Sequence, residues 1–337
     1  MQMEFQKINV FLKWLKVKNF KKVLFIIGKK FKWAKRNSAR HINQGKALRI
    51  GGIAMILAFN LTLILDKNLV IEKPLLGVML AIGAILILGL WDDFRELSWK
   101  KQLSFQIIIA AFVFFCGVKI SYFSNPFGEG LMHLGLITSF LLLILWILIV
   151  MNAMNWLDGI DGLSGGVTLI GALTIFFLSL KPDVYQPPMA IMALALAGVA
   201  MGFLVFNFYP AKIIAGTTGS LFMGFIIAVL AIFAGTKIAT AILILALPLI
   251  DFLWVIGQRL KNKKSIFKAD KNHLHHKLIE LGWSQKKIAL YFYGFTILIA
   301  IIALNTRAIG KILTLILSAL VITSFLFWIN QKTKIKQ

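Results

Sequence analysis

Asp92 and Asp93 stand side by side at the end of the apolar run Leu88-Gly89-Leu90-Trp91, in a chain with only thirteen Asp and Glu among 337 residues. Acids bordering membrane-like segments are costly, so an adjacent pair points to a site for a cation, a proton or a phosphate. A denser cluster follows in Asn152-Ala-Met-Asn155-Trp-Leu-Asp158-Gly-Ile-Asp161-Gly-Leu. Asn155, Asp158 and Asp161 recur at every third position, a spacing that shares one helix face, and the glycines permit a tight turn. Carboxylates with amide oxygens suit a hard cation such as Mg²⁺, held by few protein ligands plus substrate phosphates. Helix capping alone would need one such residue, not four.

Two further clusters carry the same chemistry. Asp270-Lys271-Asn272-His273-Leu274-His275-His276-Lys277 holds three of the five histidines. No cysteine supports a zinc site, and Lys268, Lys271 and Lys277 would repel a cation. Phosphate binding by imidazole donors and lysine charge fits better. The stretch Asn207 to Ser220 contains Gly216-Thr217-Thr218-Gly219-Ser220 and opens an apolar run. Such a helix start can bind phosphate through backbone N–H groups, and equally it can be a plain hydroxyl cap.

The elements that must position these residues are membrane helices. Hydrophobic residues make up 59% of the chain and mean hydropathy is +0.84, more apolar surface than a soluble core could hide. The sole cysteine, Cys116, lies inside an apolar run, which excludes a disulfide framework and a zinc–thiolate site. No cleavable signal peptide is visible. Ten stretches are long enough to cross a ~30 Å hydrocarbon core, at 51–66, 74–91, 102–118, 132–151, 163–180, 188–206, 219–235, 238–256, 288–305 and 311–329. The expected fold is therefore all-α and polytopic, since lipid leaves no partner for open backbone groups. It divides into a basic segment (1–48), one integral domain (49–330) and a basic tail (331–337). Before residue 49, Val10, Trp14, Val17, Phe20, Leu24, Ile27 and Phe31 recur by threes and fours between lysines, the pattern of an amphipathic helix on the membrane surface.

Ten spans put thirty of the thirty-seven Lys and Arg on one side, which makes both termini cytoplasmic. The net charge of +24 is then topological, with capacity to attract anionic lipid, and no nucleic-acid partner is implied. All four polar clusters fall on this cytoplasmic side, so they read as one composite site open to water and bordered by lipid. Transporters place their acids near the midplane on broken helices, an arrangement this topology does not give.

Taken in order, the motifs resemble those of the polyprenyl-phosphate N-acetylhexosamine-1-phosphate transferases. They are Arg49-Ile-Gly51-Gly52, Gly89-Leu-Trp-Asp92-Asp93 with Gln106 downstream, Asn152 to Leu163, Asn207 to Ser220, Pro248-Leu-Ile-Asp251 and Asp270 to His276. The His-x-His-His form is similar to that of the bacterial undecaprenyl-phosphate GlcNAc-1-phosphate transferase branch; the phospho-MurNAc-pentapeptide translocases carry three consecutive histidines. The resemblance spans about residues 40–330. It implies attack by undecaprenyl phosphate on the β-phosphorus of a UDP-N-acetylhexosamine at the cytoplasmic face of a bacterial membrane. UMP would leave, with Mg²⁺ (or Mn²⁺) as cofactor, and a surface glycan would be initiated. A homodimer is compatible with it. By the same resemblance Asp92, Asp93, Asp158 and Asp161 are catalytic. Arg49, Asn152, Asn207, His273, His275 and His276 bind substrate. Asn155, Asp92, Asp93 and the Thr217 position form the metal set.

Three departures from the family pattern stand out. Thr217 occupies the place of a metal-binding Asp in Gly-Asp-x-Gly-Ser, the basic segment replaces a first spanning helix, and Lys46-Ala47-Leu48-Arg49 lacks the usual prolines. Thr217 leaves a second reading open, a family member that has lost activity and binds the lipid carrier or a partner. The retained acids and histidines favour activity, since an idle site has no use for so many polar groups in a membrane protein.

Overall fold

The computed structural model describes residues 47–335 apart from 125–129, 235–237, 264, 266–271 and 307. The amphipathic segment expected before residue 47, and Asp270 with Lys268 and Lys271, lie outside the described residues. Twelve helices and one hairpin follow in order: α1 Gly51–Leu65, α2 Lys73–Phe94, α3 Trp99–Phe115, β1 Tyr122–Ser124, β2 Leu131–His133, α4 Leu136–Leu157, α5 Leu163–Ser179, α6 Pro187–Asn207, α7 Gly216–Phe233, α8 Ile238–Ile244, α9 Ala246–Lys261, α10 Leu274–Glu280, α11 Gln285–Asn305 and α12 Ala308–Ile335. The antiparallel hairpin, with Tyr122 opposite His133, is the exception to the all-α expectation.

Each of the ten expected stretches falls on a helix, or at 238–256 on the pair α8 and α9, which bend by 77°. Among the described residues, length and composition alone qualify six helices as membrane spans, or seven if the bent pair counts as one, and leave the expected ten unconfirmed. The difference lies in α1, α3 and α5. The fifteen residues of α1 reach only about 22 Å at 1.5 Å per residue. A helix that short crosses a bilayer by local thinning, by snorkelling of flanking residues or by association with neighbouring helices, which local hydropathy cannot show.

Helix α7 forms the centre. It touches α1, α2, α4, α5, α6 and α8, and its apolar window is 89% buried within the protein. An uninterrupted apolar surface reads as lipid-facing in sequence, yet an all-round hydrophobic helix can equally be enclosed. Its small residues make enclosure possible. A Cβ on Gly52 of α1 would overlap the Gly219 backbone, one on Gly89 of α2 would overlap Thr218 Cα, and one on Gly224 would press on Met151 of α4. Three helices therefore meet α7 at backbone contact, the packing that small residues allow in membranes. Gly89→Ala is expected to cost about 1–3 kcal/mol by overpacking. The thermal midpoint of the detergent-solubilised protein reads this, and an unchanged midpoint would refute the contact.

The chain runs back and forth, so one end of the bundle collects the C-termini of α2, α4, α6 and α9 and the N-termini of α3, α5, α7 and α11. The hairpin, joining α3 to α4, lies at the other end.

Candidate active site

The collected helix ends carry the polar clusters. Asp92 and Asp93 close α2, and Asp93 reaches the first turn of α7. Its Oδ1 accepts the Thr217 backbone N–H at 2.9 Å and faces Arg49 Nη1 at 3.3 Å. Its Oδ2 accepts the Thr218 hydroxyl at 2.9 Å and the Thr218 backbone N–H at 3.3 Å. The residue preceding α7, Ala215, has no capping side chain, so Asp93 caps this helix from a different one. Gly216 enters α7 with φ +68°, and a Cβ there would press on the Asp93 carboxylate, so the position calls for glycine. Arg49 is held nearby because its neighbours pair with the chain entering α7. Leu48 N–H donates to Lys212 O at 3.1 Å, Ile214 N–H to Leu48 O at 2.9 Å and Gly51 N–H to Ile214 O at 3.1 Å.

Asp92 accepts the Leu97 N–H on Oδ1 at 2.9 Å and the Thr217 hydroxyl on Oδ2 at 2.7 Å. Asn155, near the end of α4, accepts the Ser220 hydroxyl at 2.8 Å. The first turn of α7 thus gathers a carboxylate, an amide oxygen and a hydroxyl. Among the described residues no group of three or more His, Cys, Asp or Glu could hold a metal ion, so the chain does not build a protein-only cage there. An all-oxygen set with one carboxylate fits Mg²⁺, which keeps waters and takes substrate phosphates as further ligands. Asp93, with four donors on its two oxygens, has little left to offer a metal.

The turn between α4 and α5 carries Asp158 and Asp161. Burial pushes the Asp158 carboxyl up to about 7, against the lowering effect of the Ser164 hydroxyl that donates to it. The charges of Asp93 and Asp161 add to the rise and Arg49 opposes it, so Asp158 lies within electrostatic reach of the Asp93–Arg49 pair. Asp161 Oδ2 accepts the Ala211 N–H at 2.9 Å, and its backbone N–H donates to Gln285 Oε1 at 3.1 Å. Asn207 accepts the Gly162 N–H at 2.9 Å and donates to Ile213 O at 2.9 Å. These bonds, with the Tyr293 hydroxyl donating to Gly162 O, fasten the turn to the chain before α7 and to α11. Asp161 and Asn207 therefore brace backbone with these atoms. Asn152 donates to Gln106 Oε1 at 2.7 Å and to Leu148 O at 2.8 Å.

The histidine motif arrives from far along the chain. His273 Nδ1 lies 2.9 Å from Asp251 Oδ2, and the Leu274 N–H donates to Asp251 Oδ1 at 2.9 Å. The His273 and His275 rings are parallel within 9° at 5.9 Å, and His276 lies 4.3 Å from His275. Trp156 meets His273 edge-on at 4.8 Å, and the Arg259 guanidinium sits 5.0 Å from the Trp156 ring. His275 is buried with neither ring nitrogen bonded, and its Nε2 abuts Gly159, where a Cβ would overlap it. Burial, reinforced by His276 and His273, holds its pKa well below the usual histidine range and keeps it neutral. The structure thus brings Arg49, Asp92, Asp93, Asn155, Asp158 and Thr217 into one group and sets the histidines against the Asp158–Asp161 turn.

Several contributors carry no assigned role in the sequence reading. Gln106 and Asp251 appear there only as parts of motifs. Ser220 had a readable signal, since it sits one helical turn after Gly216 beside the threonines. Gln285, Tyr293 and Arg259 have none, because their partners come from remote segments.

The sequence profile described as Glycosyl transferase family 4 matches residues 75–235. The chain is 32% identical to a probable undecaprenyl-phosphate N-acetylglucosaminyl 1-phosphate transferase of Bacillus subtilis (strain 168), over 88% of this chain and 85% of that one. It is 30% identical to a decaprenyl-phosphate N-acetylglucosaminephosphotransferase of Mycobacterium leprae, over 83% and 77%. It is also 35% identical to a phospho-N-acetylmuramoyl-pentapeptide-transferase of Alkaliphilus oremlandii, over 78% and 85%.

Proposed function

Because the chain belongs to glycosyl transferase family 4, we propose that it transfers N-acetylhexosamine 1-phosphate, GlcNAc 1-phosphate in the first instance, from a UDP-sugar to undecaprenyl phosphate. The protein is a multi-pass membrane sugar-phosphate transferase. The reaction takes place at the cytoplasmic face of a bacterial membrane, with both termini on that side, and begins a surface glycan. One observation carries the reading: Asp92, Asn155 and the Asp93–Arg49 pair converge on the N-terminus of an enclosed helix at one end of the bundle, within electrostatic reach of Asp158. The Lys and Arg asymmetry of the sequence supports a cytoplasmic placement of this end.

In the transfer, a phosphate oxygen of the lipid forms a bond to the β-phosphorus and the bridging bond to UMP breaks. Both reactants are polyanions, so positioning and charge compensation supply most of the catalysis. Asp92 orients or deprotonates the lipid phosphate, and Arg49 adds a fixed positive charge. Asp158, titrating near neutrality, holds or releases a proton beside the pyrophosphate. The histidines contact phosphate or sugar hydroxyls, as donors or acceptors according to which ring nitrogen carries a proton. Asp92, Asn155 and the Thr217 hydroxyl are the residues that would hold Mg²⁺, or Mn²⁺, and the ion would neutralise phosphate charge there.

Purified protein in detergent with Mg²⁺, undecaprenyl phosphate and UDP-GlcNAc should release UMP; silence with every UDP-amino sugar would refute the reading. Thr217→Asp tests the metal set. It replaces a hydroxyl that donates to Asp92 with a second carboxylate, so the Mg²⁺ concentration for half-maximal rate should fall on the order of tenfold, since ligand charge tunes such sites. An unchanged or raised Mg²⁺ requirement would place the ion elsewhere.

A further inference from the structure

Asp251 is a buried carboxylate to which the mechanism above gives no task. It lies on α9 just past the 77° bend, with its side chain 7% exposed. Both of its oxygens are engaged, and both partners belong to the histidine motif. Oδ1 accepts the backbone N–H of Leu274, the first residue of α10, and Oδ2 lies 2.9 Å from Nδ1 of His273, the residue just before it. In its carboxylate form Asp251 only accepts, an arrangement that calls for the shared proton on Nδ1. That settles which ring nitrogen remains for other chemistry. Nε2, across the ring, is left as acceptor while the imidazole is neutral and becomes a donor when it gains a proton. The ring has little freedom to turn away, since Trp156 abuts its edge at 4.8 Å and His275 lies parallel at 5.9 Å.

We propose that Asp251 is a positioning residue. Its carboxylate fixes the tautomer and orientation of His273, so that Nε2 is the nitrogen presented to the phosphates or sugar of the donor substrate. The arrangement follows the logic by which a carboxylate behind a histidine sets the work of the opposite nitrogen. Asp251 touches no substrate in this account. It acts through His273 and holds the start of α10 at the same time. The role in transfer rests on the function proposed above, whereas the tautomer does not.

Asp251→Asn separates the two. The Asn carbonyl can keep the Leu274 N–H, and its amide then donates to His273 Nδ1, which forces the proton onto Nε2. Nitrogen-15 NMR of histidine-labelled protein in nanodiscs, with His273 assigned by His273→Gln, should show a proton on Nδ1 in the wild type and on Nε2 alone in D251N. In the same samples kcat for UMP release should fall by roughly 10–100-fold with little change in KM, the usual scale for losing the residue behind a functional histidine. Asp251→Glu, which retains a carboxylate, should recover part of the rate.

A wild-type His273 without a proton on Nδ1 overturns the proposal, even if D251N fails to fold. So does a D251N protein that swaps the tautomer and keeps full kcat, or one that loses rate with the tautomer unchanged. If the wild type transfers no sugar phosphate at all, the proposed function fails, while the wild-type and D251N spectra still decide the pairing.

Discussion

Asp92→Asn is expected to leave a folded protein whose UMP release is slower by roughly 10²–10⁴-fold, the range for loss of a group that moves or orients a proton. Two hydrogen bonds on this side chain show why the fold should survive. Oδ1 accepts the Leu97 N–H, and Oδ2 accepts the hydroxyl of Thr217. An Asn carbonyl can keep the first bond. The Thr217 hydroxyl can rotate and accept from the new amide, so neither partner is stranded. What disappears is the charge and the basicity, and with them the carboxylate that would help hold Mg²⁺. Thermal midpoint and turnover measured on one preparation check this. A rate within tenfold of wild type, or a protein that no longer folds, would remove Asp92 from the centre of the chemistry.

Asp93→Ala should behave differently, with lost stability leading and lost turnover following. Arg49 and Asp93 are 9% and 8% exposed at their side chains, and removing one partner of a buried pair costs about 3–5 kcal/mol because the other charge is stranded. The same substitution removes acceptors for two backbone N–H groups and a hydroxyl at the start of α7, where losing a cap costs about 1 kcal/mol. Because α7 is the helix on which α1, α2 and α4 pack, the damage should spread through the bundle. Arg49→Met combined with Asp93→Ala should recover part of the loss, since no buried charge is then left alone. Unchanged stability with abolished turnover would return Asp93 to the direct catalytic or metal role that the family resemblance implies. The adjacent aspartates, alike in sequence, are thus expected to separate experimentally.

Their separation shows where the sequence stops informing. Apolar run length fixes that this is a membrane protein and where its helices fall, because lipid requires helices and hydropathy is a local property. The distribution of Lys and Arg supports the orientation proposed above, and the order of motifs points to the family. None of this required knowing which helices touch. The number of spans did require it. Helix α1 and helix α5 look like ordinary spans, yet they are short, whereas α7 looks lipid-facing and is enclosed. An apolar side chain reads the same whether lipid or protein covers it.

The site divides along the same line. That these residues gather was legible: Arg49, Asp92, Asp93, Asn155 and Thr217 meet at the start of α7, Asp158 lies within their electrostatic reach, and His275 abuts Gly159. The tasks within it were not. Residue types and spacing name donors and acceptors, but a hydrogen bond is settled by which helix ends arrive together. Asp93 is a cap only because α2 ends where α7 begins. Asp161 and Asn207 brace the turn only because Ala211 and Gly162 come within reach. Asp251 stands behind His273 only because α9, past its bend, meets the start of α10. Composition and motif order determined what this protein is. Tertiary structure alone decided how each carboxylate is spent, because hydrogen-bond partners between distant segments are set by packing geometry rather than by any local property of the chain.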